Sequence, residues 1–258
     1  QKTEGAKSSS SDNAPKTLTI GLAQYPSTMH PIIENMVAKS YVRGFLARGL
    51  TQFDADWNLV CGLCVELPTI ENGLAVLEET PEGKPGIAVT YEIPAGAKWG
   101  DGTPVTTADV EFTYKVGSNA KTGANNMDLY NRIDRLEILD EHRYTFHINK
   151  VTFDYNQAGD FYVLPKHLEG PLFEEDAYEY RHRTNYNAST TTPGLWWGPY
   201  LITDTQQGSS LTLERNPHWY GKTPYFDKVV IRAIQNTSAM EANLRSGTID
   251  MIAGELGL

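Results

Sequence analysis

The stretch Trp99-Gly100-Asp101-Gly102-Thr103-Pro104-Val105-Thr106-Thr107-Ala108-Asp109-Val110 carries a turn and a helix start side by side. Asp101-Gly102 and Thr103-Pro104 are turn chemistry: an aspartate folds back on the following backbone, glycine admits a left-handed residue, and proline presets φ. Thr106 then stands three residues before Asp109, the spacing of a capping box. The residues that follow point two ways. Val110, Phe112, Tyr114 and Val116 alternate with the period of a strand, whereas Glu111 and Lys115 lie four apart as a helical ion pair does. With the cap in front of them, residues 110–116 are expected to be helical.

Working outward, strands dominate. Leu18, Ile20 and Leu22 alternate with Thr17, Thr19 and Gly21, and Pro26 and His30-Pro31 then break regular structure. From Glu34 to Arg48, Val37, Tyr41 and Phe45 recur every fourth residue beside Ala38 and Val42, which predicts one buried helical face, with Gly49 as its C-cap. Leu50-Thr51-Gln52-Phe53, the turn Asp54-Ala55-Asp56, and Trp57-Asn58-Leu59 follow. Strands are expected at residues 74–77 and 87–93, around the Pro/Gly-rich turn Thr80 to Gly86. Residues 136–139 and 144–148 read as a hairpin through Asp140-Glu141-His142-Arg143. Further on come strands at residues 210–213 and 228–234. A second capping box, Ser238 with Glu241, opens a helix that Gly247 ends, and a strand begins at Ile249. The class is α+β, without internal repeat or phosphate-binding glycine signature.

Composition narrows the function. The chain has 258 residues, 40% hydrophobic and 21% charged, which suffices for a buried core. The formal charge of −10 argues against a nucleic-acid partner, which needs cations to neutralise phosphates. No apolar run reaches the ~20 residues of a membrane span. Residues 1–15, QKTEGAKSSSSDNAP, are polar and serine-rich and are expected to be a flexible tail. Such a tail suits a tether behind a removed export signal or lipid anchor, or is an incidental terminus.

Cys61 and Cys64 form a lone C-x2-C, half of a four-ligand zinc site, and their apolar surroundings do not resemble a redox motif. A turn at Gly62 brings them within disulfide range and an extended chain does not, so a short disulfide and two buried thiols are both open.

Five segments, in order, resemble the peptide, dipeptide and nickel-type binding proteins of ABC importers, the extracytoplasmic solute-binding proteins of family 5. Met29-His30-Pro31 with Gly49-Leu50-Thr51-Gln52-Phe53-Asp54 is similar to the family's opening. The segment Trp99 to Val110 is similar to its W-x-D-G-x-P-x-T-A-x-D-V signature, and Val163-Leu164-Pro165-Lys166-His167-Leu168 to its P-K-H motif. Gly198-Pro199-Tyr200 with Leu213-Glu214-Arg215-Asn216-Pro217 is similar to G-P-Y … L-x-R-N-P, and Leu244-Arg245-Ser246-Gly247-Thr248-Ile249-Asp250 to L-x-x-G-x-I-D. His30, Cys61, Cys64, Trp196 and Trp197 depart from the family pattern and bear on the ligand rather than on the fold.

The resemblance implies a periplasmic-binding-protein-like lobe (type II, cluster C), with a mixed β-sheet and an inserted subdomain. Residues 16–35 and 161–258 would make up a partial lobe I, residues 36–160 the inserted α+β subdomain, and the second lobe is expected to be missing. It further implies a monomer outside the membrane that captures a peptide or other small solute and hands it to an ABC permease, without cofactor or metal and without chemistry on the ligand. Tyr25-Pro26-Ser27-Thr28 is then expected to line the cleft, where an extended segment pairs with a peptide main chain as an added strand does. Asn125, Asn126 and Tyr130 are further candidates. Trp196 and Trp197 offer aromatic faces, but neighbours in a strand point to opposite sides, so one is expected in the cleft and one in the core.

Two other readings compete. The same fold takes oligosaccharides, nickel complexes or other solutes, because a fold does not fix its ligand. A hydrolase using paired carboxylates lacks any accompanying G-x-S-x-G or H-E-x-x-H motif.

Overall fold

A computed structural model describes residues 14–254, so most of the expected tail over residues 1–15 lies outside the described residues. The chain runs from β1 (Thr17–Leu22) through α1 (Val37–Leu46) to β2 (Thr51–Phe53) and β3 (Leu59–Cys61). Next come β4 (Ala75–Glu79), β5 (Pro85–Glu92), α2 (Thr107–Gly117), α3 (Met127–Asn131), β6 (Ile133–Ile138) and β7 (Arg143–Ile148). Then follow α4 (Lys166–Glu175), α5 (Tyr180–Arg183), α6 (Asn185–Ala188), β8 (Tyr200–Gln206), β9 (Ser210–Arg215), β10 (Lys228–Ala233), α7 (Thr237–Arg245) and β11 (Met251–Ala253). A five-stranded sheet has the order β11-β1-β10-β9-β8, a four-stranded sheet the order β4-β5-β7-β6, and β2 pairs with β3. In the first sheet β1 is parallel to both β10 and β11, while β8, β9 and β10 meander antiparallel.

The turn and cap at Trp99–Asp109 join the two halves of the described chain. Asp109, 4% exposed, accepts hydrogen bonds from the backbone of Thr106 (3.0 Å), the indole of Trp99 (3.2 Å) and the backbone of Lys166 (2.9 Å). Burial pushes its carboxyl up despite these three donors. Asp101 accepts from Thr103 N at 2.9 Å and meets His167 Nε2 at 2.9 Å. The capping box is complete, and α2 is a helix as the cap predicts. Its strand-like alternation arises because the helix is covered on most sides, burying Thr107, Asp109, Val110, Phe112, Thr113, Val116 and Gly117.

Elsewhere the structure differs from expectation. Helix α1 buries Ala38, Lys39, Val42 and Leu46 and leaves Val37 69% and Tyr41 38% exposed. The buried face is set by Lys39, whose ammonium donates to the carbonyls of His30 (2.8 Å) and Ile33 (2.6 Å) and to that of Glu34. Gly49 is not the C-cap, which falls at extended Ala47. A Cβ on Gly49 would sit 2.0 Å from the Gly159 carbonyl, so glycine is needed there for close backbone approach. Asn236, not Ser238, caps α7, accepting from Ala239 N at 2.9 Å, and Gly247 at φ 74° ends the helix as expected. Cys61 and Cys64 form a disulfide with Cα atoms 5.1 Å apart, across a turn in which Gly62 and Leu63 both donate to the Leu50 carbonyl.

Candidate functional site

Because β11, β1 and β10 are parallel, their carboxyl ends Ala253, Leu22 and Ala233 share one edge of the sheet. In open sheets of this kind, that edge is where ligands bind. The ladder closes with Ile234 N donating to Leu22 O at 2.7 Å. Past it, the main-chain groups of Ala23, Gln24 and Tyr25 make no hydrogen bond with any described residue. Pro26 has no N–H to offer. Ala23 and Tyr25 are half-buried and Gln24 is exposed, so three consecutive residues at this edge present main-chain donors and acceptors that no described residue uses.

The chain after this free segment is fastened tightly. Ser27 reaches Glu34 Oε2 (3.1 Å), and Thr28 Oγ1 donates to Asn187 Oδ1 (2.6 Å) and accepts from His30 N (3.1 Å). His30 is fully buried. Its Nδ1 accepts from Ile32 N (3.3 Å), which leaves Nε2 to donate to Tyr180 Oη at 2.9 Å. Tyr180 donates in turn to Glu169 Oε2 (2.7 Å), which also receives Thr184 Oγ1 (2.6 Å), while Asn185 N donates to Oε1 (3.0 Å). Burial first, and the Lys39 ammonium second, hold the His30 pKa well below the ordinary range, so the imidazole is neutral in this network. Burial and neighbouring Arg43 likewise lower Lys39 to about 8. His30 is therefore a structural anchor for the free segment.

The expected site residues fall in different places. Tyr25 is partly buried and Ser27 exposed, but Pro26 and Thr28 point inward and are buried. Trp196 and Trp197 are both fully buried, so neither lines a cleft. The two residues lie outside any strand, and each ring is covered by its own neighbours. Trp196 donates to Thr190 O (2.9 Å) and packs edge-on against Tyr186, while Trp197 lies 6.4 Å from the Trp219 ring. Tyr130 is 2% exposed, its ring over Gly117 and its hydroxyl without a partner among the described residues. Asn125 is exposed and Asn126 partly so; Asn126 caps α3 through Leu129 N (3.2 Å) and donates to Asp160 Oδ2 (2.9 Å).

A separate concavity of about 500 Å³ lies between the β2–β3 hairpin and α3, and its walls include Arg48, Gln52, Phe53, Asp128 and Arg132. Asn126 and Asp160 border both this cleft and a smaller one of about 150 Å³ beside Pro31 and Arg43. Arg132 is paired with Asp154 at 3.3 Å, and Arg43 lies 4.0 Å over the Tyr162 ring. Arg48 has no ion pair among the described residues and reaches only Gln52, at 3.4 Å. Of this cleft, sequence reading named Asn126 as a candidate and quoted Gly49–Phe53 only as a motif; the remaining walls, from Gly44 to Tyr162, are brought together by topology. No helix among the described residues is long and apolar enough to cross a membrane.

Residues 74–256 match the family model described as bacterial extracellular solute-binding proteins, family 5, middle. The oligopeptide-binding protein AppA of Bacillus subtilis is 25% identical over 237 residues, 90% of this chain and 40% of AppA. Among solved structures, the oligopeptide-binding protein of Thermus thermophilus, complexed with a pentapeptide, superposes with a TM-score of 0.78 at 27% identity, covering 90% of this chain and 43% of that one. NikZ of Campylobacter jejuni, in complex with Ni(L-His), shares the fold at a TM-score of 0.70 and 21% identity, over 92% of this chain and 43% of NikZ. The chain spans less than half the length of these relatives.

Proposed function

This chain belongs to the bacterial extracellular solute-binding proteins of family 5, and from that premise we propose that it captures short peptides outside the membrane for delivery to an ABC permease. The observation that carries the reading is the main chain of Ala23–Tyr25, without hydrogen-bond partners among the described residues, at the shared carboxyl edge of β11, β1 and β10. An extended peptide satisfies such groups through its own backbone, so binding is tolerant of side-chain sequence. The pentapeptide held by the Thermus protein and the name of the Bacillus relative support peptide over other solutes. The Cys61–Cys64 disulfide supports an oxidising, extracytoplasmic setting. The protein acts as a monomer in this reading and binds without transforming its ligand.

The division into a lobe of residues 16–35 and 161–258 and an inserted subdomain of residues 36–160 is part of the proposal. The five-stranded sheet draws all its strands from the former and the four-stranded sheet all its strands from the latter. The test is native mass spectrometry of the complete natural protein, followed by denaturing release and calorimetry. Short peptides of mixed sequence are expected to be released, and N-methylation of a central peptide bond is expected to weaken binding about tenfold or more. Release of a single sugar or metal complex, or indifference to N-methylation, would overturn the assignment.

A further inference from the structure

The turn between β2 and β3 holds a tryptophan that folding does not require. Asp54 Oδ1 accepts from Asp56 N and Asn58 N, both at 2.9 Å, and Oδ2 from Asn58 Nδ2 at 3.3 Å. Asp54 N donates to Asn58 O (3.0 Å) and Trp57 N to Asp54 O (3.2 Å). This web forces Trp57 to φ 61°, the left-handed region that glycine adopts freely and a bulky side chain does not. The side chain gains almost no burial in return, since Trp57 is 81% exposed. An observed backbone outlier with no packing to explain it points to a role in binding.

Its surroundings indicate the ligand. The Phe53 ring, 50% exposed, lies 6.0 Å from the Trp57 ring, and Phe53 also walls the cleft of about 500 Å³. Phe53 thus links the exposed Trp57 ring, which is not itself part of the lining, to a concavity large enough for a small ligand. Inside the cleft, Arg48 and Asp128 are charges of opposite sign that form no ion pair with any described residue, whereas Arg132 and Asp154 neutralise each other. Asp160, which accepts from Asn126 Nδ2 at 2.9 Å, is a second carboxylate there without an ion pair among the described residues, so an apolar face stands beside one open cation and two open anions, which suits a zwitterion carrying a flat ring.

We propose that this cleft is a binding site for an amino acid or short peptide with an aromatic side chain, its ring on Phe53 and Trp57, its carboxylate on Arg48 and its ammonium on Asp128. The site shares no residue with Ala23–Tyr25 and does not depend on main-chain capture there.

The experiment labels the complete natural protein with 5-fluorotryptophan and follows the tryptophan resonances by fluorine NMR during titration with the dipeptides Ala-Phe and Ala-Ala. The Trp57 line is assigned by its loss in Trp57→Gly, a change that relieves the backbone and so keeps the fold. Ala-Phe is expected to move the Trp57 line saturably and Ala-Ala to leave it in place. Trp57→Gly and Arg48→Gln are each expected to weaken Ala-Phe about tenfold by calorimetry, with Ala-Ala unaffected. A stationary Trp57 line, or unchanged Ala-Phe affinity in both variants, would overturn the site. Should Ala-Phe and Ala-Ala then bind equally well, main-chain capture survives its loss. Should the Trp57 line move while no peptide is released from the natural protein, the site survives and main-chain capture does not.

Discussion

At Asp101–Thr103 and at Asp54–Asn58 an aspartate carboxylate gathers the backbone N–H groups that follow it, and the chain turns through a left-handed residue. In the first turn that residue is Gly102, at φ 89°, against the His218 ring. In the second it is Trp57, at φ 61°, facing solvent. The first turn feeds a clasp in which Asp109 and Asp101 tie residues around Trp99 to Lys166 and His167. The second feeds the rim of a cleft. Where the fold alone sets the terms, the residue suits its backbone conformation; where it does not, a cost is retained that packing fails to explain.

The contrast is most exposed to test at the clasp. Asp109→Ala strands the buried indole donor of Trp99 and two part-buried backbone donors, on Thr106 and Lys166, and is expected to cost about 3 kcal/mol in urea unfolding. Asp54→Ala, in the open turn, is expected to cost much less, because water replaces the lost acceptor. Equal losses in the two variants would mean that the turns are not different in kind.

The disulfide gives the next largest effect. It closes a short loop at the base of the β2–β3 hairpin, and replacing both cysteines by serine is expected to cost about 2 kcal/mol by the loop-entropy relation. The loss should appear as a lower urea midpoint for the whole protein. If the midpoint is unchanged, the hairpin is held by its contacts to Leu50 and Gly159 rather than by the crosslink.

Much of this fold was legible in local chemistry. The turn and capping box at Asp101–Asp109 identified α2 against a contrary periodicity, because caps act over three or four residues that sequence displays directly. Most of the strands were legible for the same reason, through alternation and turn residues. What escaped were features set at a distance. Lys39 lies on the buried face of α1 only because three carbonyls from the preceding loop converge on its ammonium. Trp196 and Trp197 are both buried, against Tyr186 and Trp219 from other segments, in a stretch that is not a strand, so strand alternation does not apply. Of the candidate site, the segment after β1 came from family resemblance, and its free main chain became visible only with the hydrogen bonds. Trp57 was passed over because a tryptophan beside a turn looks ordinary until its backbone angle is known.

The smallest expected effect separates the two turns by sign. Gly102→Ala places a Cβ on a left-handed residue and against the His218 ring, with a closest approach of 3.4 Å, and is expected to destabilise by about 1 kcal/mol. Trp57→Gly makes the opposite exchange. It returns the left-handed position to the residue that adopts it freely and gives up little burial, because the indole is 81% exposed. Glycine also widens the unfolded ensemble, which offsets part of the gain, so a net stabilisation of about 0.5 kcal/mol is expected in urea unfolding. Stabilisation by Trp57→Gly together with weaker Ala-Phe binding would mark Trp57 as kept for recognition at the expense of the fold. Destabilisation as large as that of Gly102→Ala would instead show that the indole supports the hairpin through Phe53, and the two turns would then differ only in which side chain packs against them.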